Sequence, residues 1–279
     1  MASSRIEQSA QESETMTPVN SGRSTAWRDR VPMILSITVV LCAWWAASAS
    51  GYVSSLYLPS PWSVLRKLFE IATTGFMDAT LAQHAAASLT RVGLALLLAV
   101  LTAIPLGMAM GLNRHVNAAL DGLIEFYRPL PPLAYLPLIV IWFGIGETTK
   151  VLLIYLAIFA PLAIATVSGV RRVNPTRIQA ARSLGASRGQ LIGLVILPSA
   201  LPDILTGIRI ALGVGWSTLV AAELVAATRG LGFMVQSASQ MLATEVVIAG
   251  ILVIAFVALG FEIALRMIER RFAGWARVS

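Results

Sequence analysis

Apolar residues in this chain arrive in long blocks, at about 31–50, 91–112, 122–143, 150–170, 203–226 and 246–267. Each block approaches the roughly 20 residues that a helix needs to cross a hydrocarbon core of ~30 Å. Strand-like alternation is missing, so helices rather than a barrel are predicted. The reading is an all-α polytopic membrane protein with six transmembrane helices. One polar stretch, 174–202, separates the fourth block from the fifth. Asn174 is placed to cap a helix whose first position is Pro175, and Gly185 to end it after Leu184. Ile178, Ala181 and Leu184 are predicted to share one side of this helix, with Arg177, Gln179, Arg182 and Ser183 on others. Ser187 and Gln190 have capping-box spacing and predict a second start, which Pro198 and Pro202 interrupt at the next span.

The blocks carry finer patterns. Residues 1–30 are rich in Ser, Thr, Glu and Gln and read as a mobile tail. Ser48-Ala49-Ser50 resembles a cleavage site, but the long polar region before the block and Trp44-Trp45 within it favour an uncleaved first span. Prolines 59 and 61 then break the chain, and Pro61 to Thr73 predicts a short amphipathic helix at the outer face. Ala95, Ala99, Ala103, Gly107 and Gly111 form a stripe of small residues at every fourth position, as do Gly207, Ala211 and Gly215. Such stripes let helix backbones approach closely, within one subunit or at a dimer seam. The third block contains Arg128-Pro129-Leu130-Pro131-Pro132, whose prolines leave carbonyls unpaired. Glu125 and Arg128 have the spacing of an ion pair, with a pathway role as the other reading. Arg209 lies about two turns inside the fifth block.

Composition agrees with the block pattern: 57% of the 279 residues are hydrophobic and 13% charged, far from a soluble domain's balance. The formal charge of +7 has a topological explanation. With the N-terminus inside, fourteen of the 21 basic residues fall in inner segments, and Arg66, Lys67, Lys150 and Arg229 fall outside. Arg91, Arg128 and Arg209 lie at or within spans. Both termini and the 174–202 stretch are thus expected in the cytoplasm. Cys42 is the single cysteine, so no intrachain disulfide forms. Without a Cys cluster, and with only His84 and His115, a metal site has little support. The two lysines, Lys67 and Lys150, have no preceding Gly, which excludes a phosphate-cradling G-x-x-x-x-G-K-[ST] loop. No catalytic constellation or cofactor motif is visible. Active transport by this chain requires ATP hydrolysis on a separate subunit.

Gln179-Ala180-Ala181, Gly185, Val195, Leu197 and Pro198 match the EAA-x3-G-x9-I-x-L-P loop of bacterial ABC importer permeases, with Gln for Glu and Val for Ile. The stretches 127–134, 141–148, 212–223 and 228–238 resemble the nitrate/sulfonate/bicarbonate branch of that family, and within it the taurine-transporting members. The resemblance spans about 84–266. It implies a type I ABC importer permease fold, a homodimer in the bacterial inner membrane, two copies of a separate ATPase and a periplasmic substrate-binding protein. It also implies a coupling loop that seats in the ATPase, comprising Arg177, Gln179, Ala180, Ala181, Arg182, Leu184, Gly185, Ala186, Ser187, Arg188, Val195, Leu197 and Pro198. The implied organisation is a tail (1–30), a first span with the outer amphipathic segment (31–83), a permease core (84–268) and a C-terminal tail (269–279). The implied substrate is taurine or a related organosulfonate, with aliphatic sulfonates, nitrate or another small anion as alternatives. Arg128, Arg209, Trp216, Ser217, Thr218 and Glu223 are the pathway candidates. A self-sufficient secondary transporter or channel is the reading from another class.

Overall fold

A computed structural model describes residues 30–273; the expectations for the tails at 1–29 and 274–279 lie outside them. No β-strand occurs among the described residues. The chain divides into a compact unit ending at Ser54 and a second beginning at Ser55. The first contains α1 (Arg30–Ala49), an apolar helix in which the Thr38 hydroxyl donates back to the Ile34 carbonyl at 2.9 Å. This internal bond satisfies the hydroxyl without water, as a membrane-embedded Thr requires.

The second unit starts with α2 (Pro61–Thr74), capped by the Ser60 hydroxyl and closed by Gly75 at φ 85°. Its bounds match the predicted amphipathic segment, and Val64 and Ile71 form its buried face. Next comes α3 (Leu81–Leu112), about ten residues earlier than the apolar block suggests. The capping box of Thr80 and Gln83 fixes that start, because both side chains satisfy N–H groups that a helix terminus leaves orphaned.

The expected third span is not one helix. α4 (Arg114–Tyr127) ends before Arg128, and a 3-10 turn (Pro132–Tyr135) leads into α5 (Leu136–Phe143). Pro129, Pro131 and Pro132 supply no N–H to the preceding turn, so the α-ladder stops there. Glu125 and Arg128 form no ion pair with each other. After α6 (Glu147–Arg171) and the short α7 (Pro175–Ser183), the chain restarts at Arg188–Gln190. It passes through a π-helical segment (Leu191–Ile196) into α8 (Leu197–Ala226). Contrary to the sequence expectation, Pro198 and Pro202 do not break this rod. Pro198 has no N–H for the Leu194 carbonyl, and the wider π turn absorbs the mismatch. Two helices complete the unit, α9 (Leu231–Gln240) and α10 (Thr244–Ala273).

Four segments among the described residues are long and apolar enough to cross a membrane: Leu81–Leu112, Glu147–Arg171, Arg188–Val225 and Thr244–Arg271. Two further apolar pieces, Ile34–Ala49 and Pro132–Phe143, are shorter. The core is made by α3, α6 and α8, whose small residues set its spacing. Ala95, Ala99 and Ala103 are fully buried. A side chain at Gly107 would meet the Ala163 carbonyl at 2.7 Å, and one at Gly111 would meet Val170 at 2.7 Å. The α3 stripe therefore packs on α6 inside the subunit, and the two helices run parallel. The second stripe packs on α6 from the other side: Gly207 lies against Ala165, Gly215 against Ile158, and α8 runs antiparallel to α6. Neither stripe is left open for a dimer seam.

A Cβ at Gly207 would come within 2.3 Å of the Ala165 Cβ, whereas one at Gly213 would meet nothing within 4 Å. Gly207→Val is accordingly expected to destabilise the subunit by about 1–3 kcal/mol through overpacking. Gly213→Ala is expected to be silent, and thermal unfolding of both variants in nanodiscs measures the difference.

Candidate functional site

Three polar features stand out in the apolar bundle. The first lies where α3 and α6 begin and α8 ends. His84, Ser88 and Arg91 are buried on one face of α3, at the i, i+4 and i+7 spacing that stacks side chains. Arg91 grips Glu147 with two bonds, Nε to Oε2 at 2.6 Å and Nη2 to Oε1 at 2.7 Å. Its Nη1 donates to Glu223 Oε1 at 2.6 Å and to the Arg229 carbonyl at 2.7 Å. Lys150 Nζ donates to Glu147 at 2.8 Å, one turn along α6. Two cations and two carboxylates balance.

The remaining acceptors of Glu223 are also filled. Oε1 accepts from the Ser88 hydroxyl at 2.7 Å and Oε2 from the Gly232 N–H at 2.8 Å. The Leu231 N–H then donates to Ser88 Oγ at 2.9 Å. His84 Nε2 faces the Phe76 carbonyl at 3.2 Å, and Nδ1 lies 3.0 Å from the Gly230 carbonyl and 3.1 Å from its nitrogen. A carbonyl only accepts, so the Phe76 contact needs a proton on Nε2, while the Gly230 peptide offers Nδ1 both an acceptor and a donor. Gly230, at φ 140°, has no room for a side chain: a Cβ would stand 2.4 Å from the Glu223 Cδ. The network thus fastens the loop between α8 and α9 to the first turns of α3 and α6.

The second feature is a pair of cavities along α8. One of about 420 Å³ lies against the middle of α6 and is lined by Tyr127, Arg128, Tyr135, Pro161, Ile210 and Val214 among others. Another of about 260 Å³ contains Arg209, Trp216, Phe261 and Glu262. The pathway candidates are therefore dispersed. Arg209 is paired with Glu262 and Glu269 of α10, each at 3.1 Å. Trp216 packs edge-on against Phe261. The hydroxyls of Ser217 and Thr218 donate to the carbonyls of Gly213 and Val214 of their own helix. Glu223 belongs to the buried network, and Arg128 alone of the six lines the larger cavity.

The third feature is the corner at 174–198. The Asn174 side chain accepts from the Thr176 N–H at 2.8 Å and starts α7. At its end Gly185 sits at φ 81°, its N–H bonded to the Arg182 carbonyl and that of Ala186 to the Ala181 carbonyl. This 5→2 and 6→1 pair is a Schellman closure, which needs a left-handed residue where Gly185 stands. Ser187 and Gln190 immediately form the predicted capping box. Ile178 and Ala181 pack partly against the core, whereas Leu184, at the C-cap, is 89% exposed. Arg177, Gln179, Ala180, Arg182 and Arg188 are exposed around it. Val195 lies in the π segment and packs partly on the core, and Leu197 and Pro198 open α8.

Residues 103–274 match the profile of the binding-protein-dependent transport system inner membrane component family. The chain belongs to this family. It is 63% identical over 241 residues to the taurine transport system permease protein TauC of Escherichia coli K12, covering 86% of this chain and 88% of that one. The putative aliphatic sulfonates transport permease SsuC of the same organism is 35% identical over 89% of this chain and 93% of its own length. The bicarbonate transport system permease CmpB of Synechococcus elongatus is 32% identical over 89% and 90%. Among solved structures, the inward-facing MetNI methionine ABC transporter superposes with a TM-score of 0.63 at 17% identity, over 69% of this chain and 95% of that one. That likeness shows the permease fold. A member of this family is a multi-pass inner-membrane transport component that works with a binding protein and an ATPase subunit, and is not itself an enzyme.

Of these features, the 174–198 corner was visible in sequence and the ion network was not. Its signal was present, however. His84, Ser88 and Arg91 continue the Ala95 to Gly107 stripe towards the N-terminus, so the helix covering the stripe had to supply polar partners at that end. Glu147 opens that helix.

Removing Glu223 takes a buried acceptor from Arg91 Nη1, the Ser88 hydroxyl and the Gly232 N–H. Glu223→Ala is expected to cost about 3–5 kcal/mol, as for other buried pairs that lose one partner. Glu147 is 63% exposed, so water can replace its carboxylate, and Glu147→Ala is expected to cost distinctly less. Thermal midpoints in nanodiscs test the ranking, and equal losses would contradict it.

Proposed function

We propose that the chain is the membrane-spanning subunit of an ATP-driven importer for taurine or a related organosulfonate. The observation that carries this reading is the 63% identity to the E. coli taurine permease over 86% of the chain. Identity to the aliphatic sulfonate permease of that organism is only 35%.

In this reading two copies form the pathway, each with six spans that include α1 and the broken α4–α5 region. The charge distribution supports cytoplasmic termini, with the 174–198 corner on the same side and the Arg91 network at the periplasmic end. The permease core is taken as 84–268, flanked by the first span with its amphipathic segment and by two tails. The corner is the proposed socket contact for each of two ATPase subunits. Exposed Leu184, held between two helix termini and surrounded by Arg177, Arg182 and Arg188, supplies an apolar anchor with a basic rim. Gln179 replaces the family's glutamate, but it is exposed and the Schellman closure does not use its side chain beyond the helix. A periplasmic binding protein delivers the substrate at the opposite face.

Deletion of the gene, followed by complementation and growth on taurine as sole sulfur source, tests the substrate assignment. Restored growth on taurine is expected; rescue confined to alkanesulfonates would overturn it. Uptake into proteoliposomes is expected to require the ATPase, and gradient-driven uptake by this chain alone would favour a secondary transporter. For the corner, Leu184→Asp is expected to abolish co-purification of the ATPase while changing permease stability by no more than about 0.5 kcal/mol, as for an exposed position.

A further inference from the structure

Three arginines lie at or within the spans, and their surroundings differ: Arg91 is buried, Arg209 half-buried and Arg128 exposed. Arg91 and Arg209 each meet two carboxylates, so neither offers free charge to a ligand. Arg128 has no ion-pair partner among the described residues. It lines the cavity of about 420 Å³ beside Leu156, Ala160 and Pro161, midway along α6, and no acidic side chain lines that cavity. A guanidinium at mid-span depth is tolerated only against water, a counter-charge or a ligand. The volume falls within the ~300–1,000 Å³ of small-molecule sites.

The rest of the lining suits a particular anion. Tyr127 and Tyr135 hydrogen-bond to each other through their hydroxyls at 3.0 Å. One O–H is used as donor and the other stays free to donate to a ligand oxygen. Beside Arg128, Pro129, Pro131 and Pro132 supply no N–H donors, and the carbonyl of Arg128, a lining residue, accepts no backbone bond among the described residues. The lining therefore includes a free acceptor as well as one cation. A sulfonate has three acceptor oxygens and a fixed charge that a guanidinium can bind through two bonds. The ammonium end of an aminosulfonate suits a carbonyl and a phenol oxygen.

We propose that this cavity is a binding site of the permease itself for the transported organosulfonate, with Arg128 holding the sulfonate group and the tyrosine pair orienting it. The inference rests on the transport reading above, and its test separates the two. Proteoliposomes containing permease, ATPase and binding protein are assayed for radiolabelled taurine uptake and for ATP hydrolysis. Wild-type uptake establishes the transport reading. If wild type carries hexanesulfonate or nitrate instead, the taurine assignment falls and the variants are measured with that anion.

Arg128→Gln is expected to reduce uptake by about tenfold, the worth of a charged hydrogen-bond pair, while ATP hydrolysis stays within about twofold; Arg128→Lys, which keeps the charge without the fork, falls between. Val214→Trp, which fills the cavity without touching the charge, gives the same loss and decides the matter if Arg128→Gln fails to assemble. Labelled taurine is also expected to bind saturably to the wild-type permease–ATPase complex without the binding protein, and not to the Arg128→Gln complex. Wild-type uptake by both Arg128→Gln and Val214→Trp, equal loss of uptake and ATP hydrolysis, or no saturable binding to the wild-type complex would each overturn the proposal.

Discussion

A charge removed from water must be met by countercharge and hydrogen bonds, and the Arg91 cluster shows how far this chain goes to meet that demand. Arg91 is only 4% exposed and Glu223 is fully buried, yet neither lacks a partner. In hydrocarbon the unfolded alternative is costly, so the cluster is strongly specified by position. It joins residues from the first turns of α3, Glu147 and Lys150 on α6, the end of α8 and the backbone of the 229–232 loop. Misplacing any one of those elements would strand a charge. The network thus fixes the relative register of three long apolar helices whose surfaces alone distinguish register weakly.

Close packing then completes what the charges align. From Arg91 with Glu147 at one end to Gly111 against Val170 at the other, α3 and α6 stay in contact along their length. Small residues make this possible, because van der Waals contact is the main attraction left between helices in lipid. The resulting α3–α6–α8 layer opens where prolines disrupt the pattern, at the α4–α5 break and at Pro161. The larger cavity sits there.

Much of this architecture could be read from the chain. Block lengths gave the long helices, and the Asn174 cap, the Gly185 stop and the Ser187 box were read at the positions where they occur. Local chemistry decides these features, so local sequence reveals them. Failures came where nonlocal contacts decide. The second block was read as starting at 91 because the partners of the polar first turns of α3 lie more than 50 residues away. Leu184 was grouped with Ile178 and Ala181 by helical periodicity, yet unlike them it finds no core to pack on at the end of the helix. Pro198 and Pro202 looked like breaks because sequence does not show that a π turn can carry the rod past them.

That rod has a geometric consequence. From Arg188 to Val225 it comprises 38 residues, which at 1.5 Å per residue is about 57 Å. One end leaves the corner that bears Leu184, and the other carries Glu223. Between them it touches α6 closely at Gly207 and Gly215, where backbone contact leaves little play. A stiff beam supported near its middle turns a sideways push at one end into an opposite displacement at the other. The Arg91 network sits at that far end as a catch, so its bonds would resist any swing of the beam.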